Sequence, residues 1–113
     1  MSSTKDLILK YYNSWQEPVD LAEFRSCLDD NCTADMGMFQ ASNAGELMSV
    51  VRSNPTPWKN VELLDSTFSD DRGTIVYQGE DSLMGTKFRA CESIEVKGGK
   101  IVKIVGLVGA VND

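Results

Sequence analysis

The sequence predicts an α+β fold in which helices lie across one face of a curved antiparallel sheet. Three observations predict it. Apolar residues recur at helical spacing through the first half of the chain, the period changes to two after Pro57, and turn clusters at 69–73 and 98–99 divide the second half into hairpins. Helices gathered at one end and hairpin strands at the other define an α+β architecture with the helices on one side of the sheet. The 113 residues fit a single domain, 1–113, with no room for a second of ordinary size.

The first helix is expected over residues 6–16, where Leu7, Ile8, Tyr11, Tyr12 and Trp15 share one face and Pro18 ends the run. Asp20 stands three residues before Glu23, the spacing of a capping box, and Leu21, Phe24 and Leu28 give the second helix an apolar face. Asp29-Asp30-Asn31 reads as a turn and residues 32–39 as a strand. Asn43 and Glu46 form another capping pair ahead of a short third helix carrying Leu47, Val50 and Val51. Pro55 and Pro57 then impose a rigid, extended link. Strands are expected over 61–68, 74–79, 86–97 and 101–111, joined as a meander. The last two run to about ten residues, so the sheet should twist and curl. Three N-terminal helices on the concave face of such a sheet make a cone, and its open end is where a ligand would enter.

Composition removes several functions. Net charge is −6, and Lys and Arg are scattered rather than clustered, which disfavours nucleic acid. No apolar run approaches the ~20 residues of a membrane span. The N-terminus lacks the apolar stretch of a signal peptide, so a cytoplasmic location is expected. Three cysteines (Cys27, Cys32 and Cys91) without a CxxC pair argue against a disulfide framework or a zinc site. Histidine is absent, which excludes Ser-His-Asp and Cys-His catalysis and most His-based metal sites. No metal or cofactor is expected. The expected partners are a small apolar ligand and a second copy of the chain, paired through the sheet. Gly106, Val108 and Ala110, on one face of the last strand, offer a flat surface for that pairing.

Two carboxylates stand out. In the strand 86–97 one face carries Phe88, Ala90, Glu92, Ile94 and Val96, and Glu92 alone breaks its apolar character. Burying a carboxylate costs several kcal/mol, to order of magnitude, unless it is paired or protonated. Glu92 is therefore a rim residue, an architectural strut, or a pocket acid with a raised pKa. In the strand 32–39 alternation places Asp35 with Gly37 and Phe39, so Asp35 points inward if Phe39 does and is an exposed edge residue otherwise. Tyr11 and Tyr12 are either core residues or pocket hydrogen-bond donors. Trp15, Phe39, Trp58 and Phe88 are the candidate ligand contacts, although large apolar side chains are more often core or dimer contacts. Tyr77 reads as one of the latter.

Tyr11-Tyr12-Asn13-Ser14-Trp15, Val19-Asp20-Leu21-Ala22-Glu23-Phe24, the run from Leu28 to Asp35, Phe88-Arg89-Ala90-Cys91-Glu92-Ser93-Ile94-Glu95-Val96 and Gly99-Lys100-Ile101-Val102-Lys103-Ile104 together resemble the NTF2-like superfamily, in particular its SnoaL-like branch. The resemblance implies the cystatin-like α+β roll, a cone of curved mixed sheet around a small-molecule pocket. It fixes no activity, because this fold hosts isomerases, cyclases, hydrolases and plain binding modules. Ketosteroid isomerase is the closest in layout. That likeness implies Asp35 as general base, with Glu92 and Tyr11 or Tyr12 stabilising an enolate, in an isomerisation or a cyclisation. Glu92 is one methylene longer than the aspartate of that pattern, and the stretch 36–44 is short for a steroid-sized pocket. The lack of histidine excludes scytalone dehydratase-like chemistry. Arg89 lies on the wrong face for the Asp-Arg-Asp set of limonene epoxide hydrolase.

Overall fold

The computed structural model describes residues 3–53 and 58–111. The expected link at Pro55 and Pro57 lies outside the described residues. Each of the three helices starts at a side-chain cap. Ser3 accepts from the Asp6 amide ahead of α1 (Thr4–Ser14), Asp20 from Glu23 ahead of α2 (Leu21–Ser26), and Asn43 from Glu46 ahead of α3 (Ala44–Arg52). The first cap sets α1 two residues earlier than apolar spacing alone indicates.

The strands are β1 (Leu28–Asp35), β2 (Gln40–Ala41), β3 (Trp58–Phe68), β4 (Arg72–Asp81), β5 (Lys87–Lys97) and β6 (Lys100–Ala110). They form one sheet in the order β2-β1-β6-β5-β4-β3. β3 to β6 is an antiparallel meander, and β1 joins β6 in parallel, so the sheet is mixed. The fold is α+β, with α1 against β4 and β6 and α3 against β1 and β2.

α1 runs along the concave face from a filled end to a hollow one. At the filled end Ile8 clusters with Ile75, Ile94, Ile101 and Ile104, all fully buried. Burial of each contributes roughly 1.5–3 kcal/mol, so this apolar knot anchors the helices to the sheet. Toward the other end of α1, Trp15 packs on Trp58 and Tyr77 around open space.

Three expectations are corrected. Asp29-Asp30-Asn31 is not a turn. α2 stops at Ser26, and parallel pairing with β6 draws these residues into β1, with Leu28 opposite Ile101 and the Cys27 carbonyl accepting from the Ile101 amide at 2.8 Å. The register is irregular between Leu28 and Thr33, and Asp30 pairs with Arg25. Polar residues are tolerated there because that stretch is largely solvated.

The strand 32–39 is also broken. Gly37 has φ +80°, the Asp35 carboxylate accepts from its amide at 3.0 Å, and the Met36 amide donates to the Phe39 carbonyl at 3.0 Å. This turn folds β2 back on β1 and resets the alternation. Cys32, Ala34 and Met36 point into the fold, and Asp35 points away from it.

The face of β6 read as a flat pairing surface looks inward instead. Gly106 lies opposite Glu92, and Val108 lies opposite Ala90. A Cβ on Gly106 would come within 2.1 Å of the Cys91 carbonyl oxygen and 3.0 Å of Met36 Sδ. That glycine serves close internal approach. The outward residues of β6 are Lys103, Val105 and Leu107.

Candidate functional site

The hollow end of the cone is a cavity of about 470 Å³, within the roughly 300–1,000 Å³ of ordinary small-molecule sites. Helices give it Tyr11, Phe24, Leu47, Val50 and Val51, and Trp15 adds its ring from the C-cap of α1. The Gly37 turn contributes Met36, Met38 and Phe39. The sheet supplies Trp58, Tyr77, Asp81, Phe88, Glu92 and Val108. Most of this wall is hydrocarbon or aromatic ring.

Glu92 is the polar centre. It is 2% exposed and sits on β5 between inward-facing Ala90 and Ile94. The Tyr11 hydroxyl donates to Oε1 at 2.6 Å, and the Tyr77 hydroxyl donates to Oε2 at 2.5 Å. Each carboxylate oxygen thus has one phenol, and no described buried side-chain polar atom lacks a partner. Burial raises the Glu92 pKa above its ordinary value, and the two phenol hydrogen bonds oppose that rise without cancelling it. Burial, then the Glu92 charge, pushes both tyrosines upward, so they remain neutral donors.

The fold explains how these groups meet. Tyr11 lies one turn beyond Ile8 on the buried stripe of α1. On the sheet, Ile75 pairs with Glu92 and Tyr77 with Ala90, so Tyr77 is diagonal to Glu92 and within reach of a long side chain. Tyr77 is a core residue, as expected, and its hydroxyl also serves the acid, which was not expected. A signal for it existed. With the β4–β5 loop at 82–85, counting back along both strands sets Tyr77 diagonal to Glu92 on the shared inward face.

The other sequence candidates divide cleanly. Trp15, Phe39, Trp58 and Phe88 all lie in the cavity wall. Tyr12 is buried behind it, its ring 5.6 Å from Trp15 and 5.4 Å from Tyr77, and its hydroxyl makes no bond to Glu92. Of the two tyrosines on α1, Tyr11 is the one that reaches the acid. Asp35 is not brought to the site. It is exposed and lies across from outward-facing Val105. Phe39 enters the wall without it because the Gly37 turn separates their faces. Sequence reading also missed Asp81, a half-buried carboxylate at the end of β4 that accepts from the Leu83 amide at 2.8 Å.

Cys32 and Cys27 are buried, and burial raises both thiols, Cys32 to about 11. Neither is an available thiolate. Among the described residues no group of three Cys, Asp or Glu side chains is placed to hold a metal ion, and no helix is long and apolar enough to cross a membrane.

No protein-family model matches the chain, and no curated protein matches it in sequence. Solved structures do match in shape. A candidate ketosteroid isomerase from Kribbella flavida superposes with TM-score 0.82 at 10% identity, over 95% of this chain and 78% of that one. An NTF2-like protein of unknown function from Burkholderia xenovorans gives TM-score 0.82 at 13% identity, over 96% and 84%. An LEH-like epoxide hydrolase from M. tuberculosis gives 0.77 at 13% identity, over 91% and 80%. The chain therefore has the NTF2-like fold. At these identities the likeness concerns architecture, and the neighbours' differing chemistries do not select one for this chain.

Proposed function

We propose that this protein is a small-molecule-binding domain whose cavity takes an apolar ligand against the Tyr11–Glu92–Tyr77 triad. The observation that carries this reading is a buried carboxylate held by two phenols in the wall of an otherwise apolar 470 Å³ space. A strut needed only for stability would sit in packed core, whereas this one borders open volume. The enolising reading, with Asp35 as base, gains no support from this geometry, because Asp35 lies on the far side of the sheet from the triad.

The test is titration with N-phenyl-1-naphthylamine, an uncharged apolar dye that brightens in dry surroundings. The expected result is saturable binding at one site, abolished by Val108→Trp, which fills the cavity, while circular dichroism stays unchanged. Undiminished binding to the filled variant, or no binding to the unaltered protein, would refute the proposal.

A further inference from the structure

Resting on the binding function above, we infer that the ligand is a lipophilic organic cation, an amine or quaternary ammonium on an apolar body. The charge pattern of the wall points there. Among the described residues, the two formally charged side chains lining the cavity, Glu92 and Asp81, are both carboxylates, and no lysine or arginine lines it. Aromatic rings make up much of the rest. Trp58 stacks on Phe88 at 5.7 Å, Trp15 meets Trp58 edge-on at 6.2 Å, and Tyr77 lies 5.1 Å from Trp15. Ring faces carry negative potential and attract a cation, most strongly where water is excluded.

A count of hydrogens supports the same class. With Glu92 ionised, the triad has three side-chain groups and two hydrogens, and both hydrogens are directed at Glu92. It has none left to donate. Toward the cavity it presents lone pairs, which suit a positive or hydrogen-donating group and repel an anion. An ammonium in the cavity would also supply the countercharge that burial denies Glu92. The net charge of −6 favours approach of cations over anions.

The experiment compares benzyltrimethylammonium with neopentylbenzene, its uncharged carbon isostere, and with the anion phenylmethanesulfonate, by NMR titration of the full chain. The expected result is that the cation binds at least roughly tenfold more tightly than the isostere, and that the sulfonate binds most weakly. Glu92→Gln should erase the preference for the cation over the isostere. Asp81→Asn, whose residue lies away from the triad's hydrogen bonds, should reduce it by a smaller factor and serves if the first variant does not fold. If the isostere or the sulfonate binds as tightly as the cation, this inference fails and the apolar pocket stands. If none of the three binds while the naphthylamine dye does, this inference fails and the apolar pocket stands; if the dye does not bind either, both fail.

Discussion

The two faces of the curved sheet treat the same chemistry in opposite ways. On the concave face Glu92 is buried beneath hydrocarbon and aromatic rings, with one phenol on each oxygen. On the convex face Glu95 pairs with Arg72 in solvent, and Asp35 at the end of β1 closes its own turn by accepting from the Gly37 amide. An outward carboxylate needs nothing from the fold, because water supplies its partners. The inward one exists only because α1 and β4 each deliver a hydroxyl to it. A carboxylate's role here follows from the side of the sheet it occupies, and one glycine turn is enough to exchange sides.

The comparison breaks hardest at Glu92→Ala. That change strands two buried phenols and enlarges the cavity, with an expected loss of about 3 kcal/mol of unfolding free energy. Urea denaturation measures it, and a loss under about 1 kcal/mol would mean that water already reaches the triad.

A subtler effect separates Glu92 from the outward acids by pH. Its folded pKa lies above its ordinary value of 4.5. The native state therefore keeps a proton that the unfolded state has released, and stability declines as pH rises from 4.5 through the folded value before levelling. Glu92→Gln removes this titration. Relative to the unaltered protein, the variant's urea midpoint should rise with pH across that window and then hold steady. A difference that stays flat from about pH 4 to about pH 8 would show that the phenols fully offset the cost of burial.

The smallest effect belongs to Asp35→Asn. The amide oxygen can still accept from Gly37, and the site is exposed, so stability should stay within about 0.5 kcal/mol. Affinity for the naphthylamine dye should not change. A large drop in affinity would bring Asp35 back into the ligand's reach.

Much of the fold was legible because its signals are local. Capping at Asp20–Glu23 and Asn43–Glu46 is written in four-residue windows, and Gly98-Gly99 turns β5 directly into β6. Glu92 was legible as a break in strict alternation. Tertiary pairing hid the rest. Asp29-Asp30-Asn31 has the composition of a turn and becomes strand only because β6, some seventy residues later, runs alongside it. The positive φ of Gly37 puts Phe39 on the opposite side from Asp35, a switch that alternation cannot register. Tyr77 required register counting across the β4–β5 loop rather than reading along one strand.

The aromatic wall has one more consequence, for how the molecule reports on itself. The chain contains two tryptophans, Trp15 and Trp58, and both border the cavity with their rings 6.2 Å apart. All of its indole emission therefore originates at the one place where a guest would sit. Any occupant that displaces water or touches those rings should change the colour or brightness of the whole protein's fluorescence, with no label attached.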